Sequence, residues 1–554
     1  MKHRITPAPL FLALAAVGVW PVGAASGVGW SSTPCDTDAQ TYVDDYPEFQ
    51  PGDETLNASA LPPSAPATGD MAEEGSPVVG PIEPPPPPIE PGILDDNTFV
   101  DAGDSLWVET VSDRESTFAL DVDTGSWNVA QSLLADGYRP VADSIRAEEW
   151  VNAFDYGDPP ATGGVLAVTV EAGRPMTIAD QPDTAVVRVG VQSQVLDDAE
   201  RPAAHITFVV DTSGSMDIRE RLGLVKSSLT LLVQNLRPDD TIAIVTYGDS
   251  ASPLLSPTPV RDCERIIDAI DSMSPGGSTN LESGLLLGYD QARESFDADA
   301  VNVVVLASDG VANVGVTDAV ELTDEITQAG EDGIHLVTVG FGMGNYNDHL
   351  MEQLADMGDG FHAYVDDFAE AKRLFVDDLT PTLVVVAEQA RIQVVFDPDV
   401  VTDYRLIGYE NRMLDDEQFS DDTVDAGEIG AGHQVSAVYE VRLAPAPTEV
   451  ATVTAGQVRL RWADPSTGEF TEIDTDLVID PTLLAESEGS DSLRLAATVA
   501  ATAEVLRGSS VVTERGITLD ELSAEAHALD DAGVESADAL ADFIDLELVT
   551  ADPE

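Results

Sequence analysis

The sequence predicts an α/β protein. A Rossmann-like, doubly wound parallel sheet over residues 203–379 is inserted in a β-sandwich and followed by a helical carboxyl-terminal segment. Three observations carry this expectation. Between 203 and 379, short apolar, β-branched runs alternate with stretches of helical spacing, as parallel strands covered on both faces require. Alternating strand-like segments lie on both sides of that region, from Val165 to Val191 and from Ala390 to Trp462. The end of the chain is Ala-rich from Leu493 to Leu506, and Thr518-Leu-Asp-Glu521 then forms a capping box that opens a further helix.

Taken in order, the chain begins with Lys2, His3 and Arg4 ahead of an apolar run from Leu10 to Trp20. Small residues follow in Val22-Gly-Ala24. Residues 1–24 read as a secretory signal peptide, since the run is too short to cross a bilayer. No other segment qualifies as an integral membrane span. The protein is therefore expected to be exported, to an extracellular, cell-envelope or periplasmic location. Residues 25–96 lack periodicity, are rich in Pro, Gly, Ser, Asp and Glu, and run into Pro84 to Pro88, the composition of a disordered, acidic, Pro-rich linker. Export permits a disulfide between the two cysteines, Cys35 and Cys263. Two isolated cysteines do not require one, and none is predicted.

Residues 97–160 read as a strand, a polar turn and two helices, near Trp127 to Leu134 and Ser144 to Phe154. The turn, Asp121-Val-Asp123-Thr-Gly-Ser126, has two catalytic look-alikes. An aspartic protease needs two facing carboxylates that share a proton, and the chain holds no second Asp-Thr-Gly or Asp-Ser-Gly. A haloacid dehalogenase loop fits poorly, with Gly125 where that motif wants Thr or Val and no suitable lysine following. A polar turn ahead of a helix explains the stretch. Residues 161–202 then supply antiparallel strands flanking the central region.

The chemistry lies in His205-Ile-Thr-Phe-Val-Val-Asp211-Thr-Ser213-Gly-Ser215-Met216, a buried strand, a polar loop and a helix start. Alternate residues of a near-extended chain point the same way, so Asp211, Ser213 and Ser215 can converge. Gly276-Gly-Ser-Thr279-Asn280 adds a hydroxyl ahead of a helix, and the strand from Val301 ends in Asp309. All three segments fall at the carboxyl edge of one parallel sheet, where open α/β sheets hold ligands. Carboxylates and neutral hydroxyls suit Mg²⁺ or another hard cation. The plain alternative is an N-cap at Asp211 and ordinary turn hydroxyls. Gly340-Phe-Gly342-Met-Gly344 lacks dinucleotide-loop spacing and reads as a strand-to-helix turn. His335, His349 and His362 share no metal spacing.

In these residues the chain resembles the von Willebrand factor type A domain. Asp211, Ser213, Ser215, Thr279 and Asp309 match its metal-ion-dependent adhesion site. The resemblance implies direct metal contacts from the two serines and the threonine, water-mediated contacts from the two aspartates, and a remaining position for an acidic side chain of a protein partner. The ion would be Mg²⁺, or Mn²⁺ or Ca²⁺.

Residues 380–485 read as a β-rich domain and 486–554 as helices. Ser116 to Tyr156, Tyr404 to Arg412 and Asp425 to His433 extend the resemblance to an exported bacterial family. That family combines a short amino-terminal segment, an A domain and a carboxyl-terminal domain of unassigned role. It implies binding, not enzymatic activity; the alternative is a hydrolase using Asp121 and Asp123, with the A domain as targeting module. The formal charge of −75, from 26 basic and 101 acidic residues, argues against nucleic acid and anionic membranes as partners. Salt adaptation and plain compositional bias both account for it.

Overall fold

In a computed structural model of the chain, residues 37–43, 99, 103–175, 183–197, 201–310, 325–330, 332–342, 347–424, 426–445, 452–480 and 489–551 are described. The expected signal peptide, Cys35, most of the expected linker and the first half of the helix expected from Asp318 to Ala329 lie outside them.

The central sheet has six strands in the order His362–Val365, His335–Phe341, Val301–Ser308, Ala204–Asp211, Thr241–Tyr247 and Ala251–Pro259. The first five are mutually parallel and the last is antiparallel. The two central strands, Ala204–Asp211 and Val301–Ser308, are buried almost throughout, which is why they read as continuous apolar runs rather than alternating ones. Helices Arg221–Asn235, Cys263–Ser272, Leu281–Ser295 and Asp348–Met357 follow strands or their loops and cover the faces. The strand Ala251–Pro259 was not expected. Its Pro253, Pro257 and Pro259 read as loop punctuation, but proline is tolerated at a sheet edge, where a missing N–H faces solvent.

Chain from both sides of this domain builds the sandwich. One antiparallel sheet runs Val108–Glu109, Val401–Ile407, Gln434–Leu443, Thr184–Ser193, Leu166–Gly173. The other runs Gly427–Gly430, Val385–Phe396, Val453–Ala463, Phe470–Ile479, with Glu115–Ala119 also paired to Val385–Phe396. The two share one core, in which Phe118, Val187, Ile392, Tyr439 and Leu460 are buried. The parallel domain is therefore an insertion between sandwich strands.

Helices from either side of the sandwich strands also meet. Helices Gly125–Ala135 and Ala147–Asn152 pack with Asp491–Arg507, Leu519–Asp531 and Ala537–Ala551. Trp127, Trp150 and Phe543 touch pairwise, with ring centroids 4.9–5.1 Å apart, a spacing that favours edge-on and tilted aromatic contacts.

Two expectations are corrected. Within the stretch expected to be a disordered linker, residues 37–43 are ordered on the A domain. Ala39–Tyr42 forms a short helical turn on the helix Arg221–Asn235, with the Ser227 hydroxyl donating to the Ala39 carbonyl at 2.8 Å. Cys263 is disulfide-bonded, and the sequence holds one other cysteine, Cys35.

Candidate metal-ion site

The strand Ala204–Asp211 ends on a carboxylate at the carboxyl edge of the central sheet. Its neighbours end level with it, since Asp211 registers with Tyr247 and Val210 with Ala307. Asp309 therefore emerges beside it, one residue past Ser308. The turn after Asp211 folds back on that side chain. The Ser213 N–H donates to Asp211 Oδ1 at 2.8 Å, and the Ser308 hydroxyl donates to Oδ2 at 3.0 Å. The Ser213 and Ser215 hydroxyl oxygens stand 2.9 Å apart.

The third loop is stitched to the first through its backbone. The Gly276 N–H donates to the Thr212 carbonyl at 2.7 Å, and the Gly214 N–H to the Gly277 carbonyl at 3.1 Å. The Asn280 N–H donates to the Gly248 carbonyl at 2.9 Å, while the Asn280 side chain caps the helix Leu281–Ser295 by accepting from the Ser283 N–H. Thr279 is held between these anchors and is buried, like Asp211, Ser213 and Asp309. The five expected residues thus come from three segments that converge on one sheet edge.

Electrostatics at this edge are unbalanced. Burial, and then the charge of Asp309, push the Asp211 carboxyl up to about 7. Asp309 faces a cation, accepting from Arg221 Nη1 at 2.8 Å, with both side chains fully buried. A hard divalent ion fits this donor set of two carboxylates and three hydroxyls, because it would supply the charge that Asp211 lacks. Among the described residues no group of three or more His, Cys, Asp or Glu is arranged for a metal. Of the five expected residues only Asp211 and Asp309 are of these types, so the other three donors are neutral hydroxyls; Asp249, at the same edge, accepts from the Ser278 N–H and hydroxyl at 2.8 and 2.6 Å.

Three participants had no signal in the sequence. Arg221 looked like a helix residue, Ser308 like the end of a strand, and Tyr247 like a core aromatic. The Tyr247 ring is buried beneath the site, and burial together with Asp211 drives its hydroxyl well above the ordinary tyrosine range.

Asp121 and Asp123 lie elsewhere, in a cluster where the amino-terminal segment, the A domain and the carboxyl-terminal sheets meet. Asp121 accepts from the Asp123 N–H at 2.8 Å and from Arg412 Nε at 3.1 Å, and Asp123 accepts from the His362 N–H at 3.0 Å. The same guanidinium reaches Asp356 at 2.9 Å and Glu352 at 3.6 Å. A cleft of about 180 Å³ borders this cluster. His362 and His335 act as packing residues, with ring nitrogens 2.9 Å from Thr338 Oγ1 and the Asp359 carbonyl, respectively.

Comparison with known proteins gives these parts names. The von Willebrand factor type A domain matches residues 205–377, a von Willebrand factor model matches 94–179, and the carboxyl-terminal domain of uncharacterized protein YfbK matches 381–547. Uncharacterized protein YfbK of Escherichia coli (strain K12) is 36% identical over 420 residues, covering 71% of each chain. The inter-alpha-trypsin inhibitor heavy chain H3 of Homo sapiens is 27% identical over 176 residues, 30% of this chain and 19% of its own. Among solved structures, a von Willebrand factor type A protein from Catenulispora acidiphila aligns with a TM-score of 0.40 at 15% identity, over 67% of this chain and 89% of its own. With its A domain at the centre and the YfbK carboxyl-terminal domain behind it, the chain belongs to the family of the Escherichia coli protein YfbK.

Proposed function

We propose that this is an exported binding protein that takes an acidic group of a protein partner through a divalent ion at the A-domain edge. Ser213, Ser215 and Thr279 would hold Mg²⁺ directly, and Asp211 and Asp309 would orient its waters. The observation that carries the reading is the convergence of three loops around a buried Asp211 whose oxygens are already fixed by Ser213 and Ser308. When bound, the ion supplies a Lewis-acidic position open to a carboxylate. The chain's own residues do the rest. Neutral hydroxyl contacts would leave that position electron-poor, and the bonds to Asp211 would keep its carboxylate oriented. Export is supported by the amino-terminal apolar run and by the disulfide at Cys263, a bond that oxidising compartments preserve. Among the described residues no helix is long and apolar enough to cross a membrane.

The test is Mg²⁺ titration by calorimetry, followed by capture of partners from the native envelope fraction with Mg²⁺ or with EDTA. Wild type should bind Mg²⁺ and capture only in its presence. Asp211→Ala should abolish both, while Thr279→Ala should weaken both and keep the fold. Equal capture by wild type in EDTA and by Asp211→Ala would refute the metal-dependent reading.

A further inference from the structure

Arg221 opens the helix Arg221–Asn235, six residues past Ser215. Its side chain is fully buried, an expensive location for a charge unless it is compensated. Compensation comes from the site itself. Nη1 donates to Asp309 Oδ2 at 2.8 Å and lies 3.4 Å from the Ser215 carbonyl, so the guanidinium touches two of the three converging segments. The packing is tight, and a Cβ on Gly342, at φ +72°, would meet Arg221 Nε at 2.9 Å. Only glycine suits that backbone and leaves room for the arginine.

We propose that Arg221 is a built-in counter-ion of the metal edge. It holds Asp309 in place in the absence of a divalent ion, and it leaves the loaded site with net positive charge. This rests on the metal-binding reading above and adds what sets the site's preference. Two carboxylates alone would neutralise a dication, and the site would then have little electrostatic reason to recruit an anion. With the guanidinium beside Asp309, one positive charge remains over among the dication, Asp211, Asp309 and Arg221. The same charge repels the incoming ion, so the site binds metal less tightly than its carboxylates allow and favours an anionic partner group in return.

The experiment measures Mg²⁺ affinity by calorimetry and Tm with and without saturating Mg²⁺, on the full chain. Arg221→Gln should bind Mg²⁺ about tenfold more tightly than wild type, an order-of-magnitude expectation for losing one nearby charge. It should melt lower without Mg²⁺ and recover most of the loss with it, since the ion takes over the lost positive charge. Arg221→Lys, which keeps the charge, should stay within about threefold of wild type. Equal or weaker Mg²⁺ binding by Arg221→Gln, with wild type binding normally, would overturn the counter-ion role. If Arg221→Gln folds only with Mg²⁺, the role is upheld in its strongest form. If it stays unfolded at saturating Mg²⁺, Arg221 is a packing residue and the proposal falls. Failure of wild type to bind Mg²⁺ would instead remove the metal site, and the inference with it.

Discussion

Two buried carboxylate clusters, joined by one ten-residue helix, have opposite designs. The helix Asp348–Met357 begins beside the carboxyl edge of the central sheet, where the Asn347 N–H donates to the Asp309 carbonyl at 3.3 Å. Further along, Glu352 and Asp356 enter the junction with Asp121 and Asp123. In both clusters burial raises carboxyl groups, Asp211 to about 7 and Asp356 to about 6, while Asp123 is raised well above the carboxylate range. The compensation differs. At the junction Arg412 arrives from a distant part of the chain and contacts four carboxylates, and Arg146 adds a second guanidinium against Glu149 and Glu352. At the sheet edge Asp211 is surrounded by hydroxyl and amide donors, and among the described residues no basic side chain pairs with it. Raised carboxyls are thus no mark of catalysis in themselves. At the junction arginines close the cluster; at the sheet edge Arg221 meets Asp309 alone, and Asp211 is met by hydroxyl and amide donors.

The largest effect should come from opening the closed cluster. Arg412→Ala leaves several buried carboxylates without their cation, and should cost on the order of 3 kcal/mol in urea unfolding. On the proposed reading, Mg²⁺ affinity of the folded variant should stay within about twofold of wild type, because Arg412 touches none of the five proposed donors. A cost below about 1 kcal/mol would mean that the junction is not held by this arginine, and the contrast would fail.

A smaller effect concerns Glu148, beside the junction. It is buried, and among the described residues neither carboxyl oxygen has a hydrogen-bond partner. Burial first, then Glu410 and Glu149, push it up to about 8. The folded state therefore holds this proton more tightly than the unfolded chain, whose glutamates titrate near about 4.3. The stability this adds is full below about pH 4 and is lost as pH rises towards about 8. Glu148→Gln keeps the shape without the charge. It should gain about 1–3 kcal/mol over wild type at pH 8 and almost nothing at pH 4. A pH-independent difference between the two proteins would show that Glu148 is not the titrating group.

The smallest effect acts on both clusters from afar. With a formal charge of −75, self-repulsion should ease as the screening length falls from about 30 Å at 0.01 M salt to about 3 Å at 1 M. Tm should rise with NaCl over that range in wild type and Arg412→Ala alike. A flat or falling curve would leave only local charge pairs to account for the stability.

By itself the sequence determined the parallel sheet, its central strands and the five polar residues at its edge. Each depends on local pattern: buried runs such as Phe208 to Val210, helical spacing from Leu222 to Leu236, and strand ends at Asp211 and Asp309. The sandwich around the inserted domain was legible because strand-like segments flank it on both sides. Only tertiary structure decided which charges meet. Arg412 reaches Asp121 across 291 residues, Arg221 reaches Asp309 across 88, and the turn at Ala39–Tyr42 docks on a helix that begins almost 180 residues later. Such pairings depend on strand order and helix packing rather than on neighbours in the chain. An arginine's sequence context therefore does not disclose whether it will face solvent, close a junction or pair with a carboxylate at a sheet edge.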